Sequence, residues 1–159
     1  MAIAIGDQIP QVTLKTMGEK GPEDLDMGVL CSGKKVVLFA VPGAFTPTCS
    51  AAHLPGYVVN SDKIKAQGVD AIVCLSLNDA FVMNAWSQGQ NAEGIIMAAD
   101  GNGEFTKAMG LEMDVSGFGL GTRSSRYSLI AEDGRITVLN LEKGGAFEVS
   151  SAEAILAAL

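Results

Sequence analysis

The run Val41-Pro42-Gly43-Ala44-Phe45-Thr46-Pro47-Thr48-Cys49-Ser50 holds the residues of this chain best suited to chemistry. It follows an apolar stretch of strand character. Thr46 is a natural helix cap, and Pro47 suits the first helical position, where its missing N–H costs nothing. Cys49 then falls in the first helical turn. There the unpaired backbone N–H groups and the positive end of the helix dipole favour a thiolate, so the chemistry on offer is that of nucleophilic sulfur. Position alone leaves a second reading open, in which Cys49 is a small buried apolar residue like most free cysteines.

Other patterns carry less. Cys49 and His53 could share a helix face as metal ligands, but no second ligand pair accompanies them, so His53 is expected to pack or bond beside the helix and no metal is expected. Pro55 is expected to kink or end that helix. Gly28 to Lys34, GVLCSGK, superficially matches a phosphate-binding loop. Lys35 occupies the Ser/Thr position, however, and the segment precedes a strand where it should follow one.

The elements that must position Cys49 read as a mixed series. Val36 to Val41, Ala71 to Leu77, Tyr127 to Ala131 and Ile136 to Leu141 are short and rich in branched residues, as strands are. Glu132-Asp133-Gly134 predicts a hairpin turn between the last two, since Asp-Gly tolerates the positive φ that a tight turn demands. Tyr57 to Gln67 and Asp79 to Ser87 predict helices, the second capped by Asn78 or Asp79. Ser150-Ser151-Ala152-Glu153 forms a capping-box pattern ahead of a final Ala/Leu helix to Leu159. Gly101 to Gly103 and Ser116 to Ser125 read as loops. Strands joined by helices, then a hairpin and a closing helix, predict an α/β domain of three layers with a central mixed sheet flanked by helices.

Composition narrows the function classes. A chain of 159 residues has room for a single domain, residues 1–159, and at 48% hydrophobic content it can bury a substantial core. Eleven Lys and Arg against 18 Asp and Glu leave a net charge of −7, which repels phosphate backbones and anionic lipid. Neither nucleic acid nor a membrane is an expected partner. Three cysteines, Cys31, Cys49 and Cys74, with no tight pair, speak against a secreted disulfide framework and for a reducing compartment. With no basic, apolar leader at the N-terminus, a cytoplasmic location is expected.

The spacing Pro42-x-x-x-Thr46-x-x-Cys49 resembles the active-site signature of the peroxiredoxins. The longer runs PGAFTPTCSAAHLPGYV and GVDAIVCLSLNDAFVM are similar to the type II, or peroxiredoxin 5, subfamily, and the likeness extends from Gly6-Asp7 to the terminal helix. The resemblance implies a thioredoxin-like fold and reduction of hydrogen peroxide and alkyl hydroperoxides, without metal or organic cofactor. It further implies that Cys49 is the peroxidatic nucleophile, that the Thr46 hydroxyl bonds the sulfur and the peroxide, that Pro42 shields the pocket, and that the active-site arginine is Arg126. Arg123 competes for that last role. Arg126 is preferred because it enters the strand YSLIA directly, and without the resemblance it would read as a surface ion pair.

Some members of the subfamily place a second, resolving cysteine near the C-terminus, where this chain has Val149. No cysteine follows Cys74. Cys74, in the strand AIVCLSL, reads as a packing residue, and Cys31 lies in a more polar turn. The expected reductant is therefore glutathione with glutaredoxin, with thioredoxin as the alternative. Trp86, in a helical pattern with Phe81 and Met83, reads as core or interface, and Phe118 as an exposed apolar contact. The resemblance implies a homodimer. Two other classes stay open on sequence: a dithiol oxidoreductase, which would need a cysteine where Thr46 stands, and a binding module of the same fold without peroxidase activity.

Overall fold

The computed structural model describes residues 2–159. The four runs of branched and aromatic residues form β3, β4, β8 and β9 of a seven-stranded sheet of order β2-β1-β5-β4-β3-β8-β9. Its strands are β1 (Thr13–Gly18), β2 (Gly21–Asp26), β3 (Lys35–Ala40), β4 (Ala71–Ser76), β5 (Ile96–Ala99), β8 (Tyr127–Glu132) and β9 (Arg135–Leu141). β3, β4 and β5 are parallel, whereas β8 and β9 close one edge and β1 and β2 the other in antiparallel pairing. The central strands are buried on both faces, which is why they read as continuous apolar runs without alternation.

Strand alternation sorts that core into two. Val37, Phe39, Ile72 and Cys74 point to one face, under the helices α2 (Leu54–Ala66), α3 (Ala80–Gly89) and α5 (Ala152–Ala158). Val36, Leu38, Val73 and Leu75 point to the other, under α1 (Met27–Cys31) and α4 (Glu104–Met109). The result is helix, sheet and helix, the three layers expected, and the fold is thioredoxin-like.

Local chemistry sets the connections. Asp133 and Gly134 both take positive φ, 51° and 78°, as a tight hairpin between β8 and β9 requires. The Asp79 side chain accepts from the Val82 N–H at 2.8 Å and starts α3. At α5 the cap is Ser151, which accepts from the Ala154 N–H at 3.2 Å. Ser150, the first residue of the expected capping box, uses its hydroxyl elsewhere. The segment Ser116 to Ser125 is more than a loop. It contains a 3-10 turn (Ser116–Phe118) and the strand β7 (Thr122–Ser124), which pairs with β6 (Glu112–Asp114) in a two-stranded ribbon. The hairpin of β1 and β2 and the short helices α1 and α4 add elements for which the polar, mixed sequence has no clean period.

The helix after β3 departs most from expectation. It begins at Pro47, passes through a π-turn at Cys49–His53 and continues as α2 to Ala66, so Pro55 neither ends nor interrupts it. The wide turn absorbs the proline. The Leu54 N–H donates to the Cys49 carbonyl, one residue further back than in an α-helix. Pro55 has no N–H to offer the Ser50 carbonyl, which accepts instead from Gln90 Nε2 at 3.3 Å.

Candidate active site

β3 ends at Ala40, and the chain leaves the sheet at the carboxyl end of its parallel strands, where open α/β sheets hold their ligands. The loop from Pro42 to Thr46 is tightly held there. The Ala44 N–H donates to Asn78 Oδ1 at 2.9 Å, and Asn78 also accepts from the Ser76 hydroxyl at 2.8 Å, tying the loop to the end of β4. Phe45 takes φ of 66°, an uncommon conformation for a bulky residue, and turns its ring outward. A side chain at Gly43 would be crowded: a Cβ there would lie 3.0 Å from Arg123 Nη1 and 3.2 Å from Thr46 Cγ2, so those side chains would have to give way.

Thr46 is the residue just before the helix, and its carbonyl accepts the first helical bond, from the Ser50 N–H at 3.0 Å. Its hydroxyl does not cap the helix. It donates to the Gly43 carbonyl at 2.6 Å, so what it has left to offer a ligand is lone pairs. Thr48 and Cys49 lie before that first bond, and their N–H groups belong to the set that a helix start leaves free.

Cys49 is fully buried. Arg126, at the entry to β8 and only 6% exposed, reaches across to it, with Nη2 3.2 Å from the sulfur. The competing arginine is placed differently: Arg123 donates to the Leu120 carbonyl at 3.0 Å and to the Pro42 carbonyl at 3.4 Å, so it braces the loop and does not meet the sulfur. Among the described residues no carboxylate lies within ion-pair distance of Arg126. Its charge faces the sulfur uncompensated, unlike the surface ion pair that sequence context alone suggested.

The other guanidinium nitrogen is held by His53, whose importance composition did not reveal. Arg126 Nη1 lies 2.8 Å from His53 Nδ1, and His53 Nε2 lies 3.0 Å from the Ser150 carbonyl. A carbonyl only accepts, so Nε2 carries the hydrogen and Nδ1 presents its lone pair to the arginine. Burial, and then the neighbouring Arg126, push the imidazole down to about 3, so it is neutral throughout the physiological range. Tyr57 also donates to the Ser150 carbonyl, at 2.9 Å, and burial raises its phenol. The Phe147 ring closes over the pair, 4.9 Å from the His53 ring and 5.8 Å from the guanidinium carbon. Pairing of His53 with Cys49 as metal ligands is not what the geometry provides, since both imidazole nitrogens are engaged.

All three cysteines are unbridged. Cys31 lies on the opposite face of the sheet from Cys49, among the residues under α1 and α4, and burial pushes its thiol up to about 11. Cys74 shares the Cys49 face but is fully buried in the central strand β4, and burial raises its thiol well above the ordinary value. Val149, where a resolving cysteine would stand, is exposed on the segment between β9 and α5.

A buried sulfur at a helix start, beneath an arginine at the carboxyl end of the parallel strands, defines a redox-thiol site on a thioredoxin-like fold. The chain belongs to the redoxin family, whose model matches residues 4–156. It is 52% identical to the chloroplastic peroxiredoxin-2E-2 of Oryza sativa, over 99% of this chain and 72% of that protein. It is 46% identical to peroxiredoxin-2B of Arabidopsis thaliana, over 99% of this chain and 98% of that one. Reduced Prx3 of Vibrio vulnificus, solved in complex with hydrogen peroxide, superimposes with a TM-score of 0.95 at 58% identity, covering 98% of both chains. Within the family the chain is thus a peroxiredoxin of the type II group, a thiol-dependent peroxidase.

Proposed function

We propose that the enzyme reduces hydrogen peroxide and alkyl hydroperoxides through a sulfenic acid on Cys49, and that glutathione with glutaredoxin restores the thiol. The observation that carries the site assignment is the 3.2 Å approach of Arg126 Nη2 to the Cys49 sulfur, with the second nitrogen of the same guanidinium fixed by His53. The thiolate attacks one peroxide oxygen. The O–O bond breaks, its electron pair leaves on the far oxygen, and that oxide takes a proton to become water or an alcohol. Arg126 meets the growing negative charge with a fixed positive one and has no proton to lose. Thr46, its hydrogen given to Gly43, accepts the peroxide hydrogen and so orients the substrate. Pro42, half-buried at the start of the loop, limits the approach of water.

Oxidised Cys49 then condenses with one glutathione to a mixed disulfide, releasing water. A second thiol, from glutathione or glutaredoxin, takes the glutathionyl sulfur and returns Cys49 reduced. What supports an outside thiol is the placement of the other cysteines, Cys31 across the sheet and Cys74 sealed in it. The reading extends to a cytoplasmic homodimer. Three unbridged thiols suit a reducing compartment, and the exposed rings of Phe45, Phe81 and Phe118 suit contact with a second copy.

The test is peroxide consumption by wild type and Cys49→Ser, each supplied with glutathione plus glutaredoxin or with thioredoxin and its reductase. Turnover with the glutathione system in wild type and none in the serine variant is expected. Equal turnover by the serine variant would refute the mechanism, and support from thioredoxin alone would refute the choice of reductant.

A further inference from the structure

Glu142 stands just past the end of β9, 16 residues from Arg126 in sequence, and no step above uses it. It is an acidic residue only 6% exposed, and a single oxygen of its carboxylate, Oε2, accepts four hydrogen bonds. They come from the N–H groups of Glu148, Val149 and Ser150, at 2.8, 2.9 and 2.8 Å, and from the Ser150 hydroxyl at 2.6 Å. Those donors hold its carboxyl below the usual carboxylate range despite the burial that opposes them. Its own backbone N–H donates to the Arg126 carbonyl at 3.0 Å. One residue therefore grips both the backbone of the arginine and the segment leading into α5.

From there a continuous chain runs to the sulfur. Ser150, fixed through its N–H and hydroxyl, presents its carbonyl to His53 Nε2, which sets the imidazole tautomer. The bare Nδ1 that results holds Arg126 Nη1, and this turns Nη2 toward Cys49. The wrong tautomer would set an imidazole N–H against a guanidinium N–H and remove that hold. Tyr57 shares the Ser150 carbonyl and stacks on Phe39, ring centroids 3.8 Å apart and nearly parallel, so the carbonyl is gripped from two sides. We infer that Glu142 is a positioning residue for the peroxidase reaction, which by anchoring residues 148–150 fixes the His53 tautomer and thereby aims Arg126 at Cys49. The inference rests on the reading in which Arg126 acts at Cys49.

His53 is the sole histidine of the chain, so its imidazole nitrogens can be read without ambiguity. The test compares wild type, Glu142→Gln and Glu142→Ala in three measurements. These are the imidazole 15N shifts, the midpoint of the thiolate absorbance at 240 nm, and the second-order rate of oxidation by hydrogen peroxide followed by Trp86 fluorescence. Wild type is expected to show the Nε2–H tautomer alone. Glu142→Ala should show tautomer exchange, a higher thiolate midpoint and a peroxide rate lower by roughly 10- to 100-fold, the scale of one hydrogen bond to a charged group. Glu142→Gln keeps an acceptor oxygen and should recover most of the rate. If the alanine variant does not fold, Glu142→Gln and Ser150→Ala carry the comparison, with the rate falling in step with the bonds removed. A Glu142 variant that melts earlier yet keeps the wild-type tautomer, midpoint and rate would overturn the inference. Wild-type oxidation no faster than that of free cysteine would instead overturn the peroxidase reading, while the tautomer and midpoint comparisons still decide the role of Glu142.

Discussion

Arg126 uses two nitrogens of one planar fork for two partners 73 and 77 residues away in sequence, His53 and Cys49. A lysine brings the charge but cannot span both. Arg126→Lys is therefore expected to lower kcat/KM for hydrogen peroxide by about 10²- to 10³-fold, the scale of losing one aimed donor to a developing oxyanion. Stopped-flow oxidation measures it, and a lysine variant within twofold of wild type would contradict the assignment. His53 adds a pH prediction. Its imidazole sits near 3 in the folded protein and near 6.5 when unfolded, so between those values the unfolded chain binds the extra proton and stability falls as pH drops. From pH 7 to pH 5 the loss is on the order of 2 kcal/mol, visible as a lower urea midpoint. The drop should be smaller in His53→Gln, and an equal drop in both would assign it to other groups.

The helix around Cys49 is held by its neighbour α3. Trp86, the only tryptophan, is buried and donates its indole N–H to the Ser50 hydroxyl at 3.0 Å, while Gln90 takes the Ser50 carbonyl. Ser50→Ala leaves that indole N–H buried without a partner, and a cost of about 1–3 kcal/mol is expected. Urea unfolding checks it, and an unchanged midpoint would show that another acceptor takes the proton. Much of this architecture was legible in the chain. β3, β4, β8 and β9 announce themselves as branched runs, α3 by its Asp79 cap, and the β8–β9 turn by Asp133-Gly134. β2 and β5 were not, because β2 is mostly exposed and polar and β5 is only four residues, three of them Met or Ala. The π-turn was not read from Pro55 alone, since the carbonyl that the proline leaves free finds its donor in Gln90, 40 residues on. Pro42, Thr46 and Cys49 stand in one run and were visible together. Arg126 was identified through family resemblance, and Glu142 and Ser150 only join the site through the end of β9 and the turn into α5.

At the scale of the whole molecule, a mixed sheet of seven strands carries one sulfur to the carboxyl end of its parallel strands and leaves several aromatic rings outside. Phe118 is 85% exposed on the turn between β6 and β7, and Phe45 is 60% exposed on the loop after β3. Phe118→Asp places a charge where the proposed dimer would bury a ring, and sedimentation is expected to shift from dimer to monomer. An unchanged sedimentation coefficient would put the contact elsewhere.

The complete burial of Cys49 has a kinetic consequence. Two joined oxygen atoms need far less room at that sulfur than a tripeptide does, and an attacking thiol must meet the oxidised sulfur in line. Recovery by a bulky thiol is therefore expected to demand more rearrangement around Cys49 than oxidation by hydrogen peroxide does. Single-turnover rates of the two half-reactions check this, with recovery expected to slow as the reducing thiol grows larger.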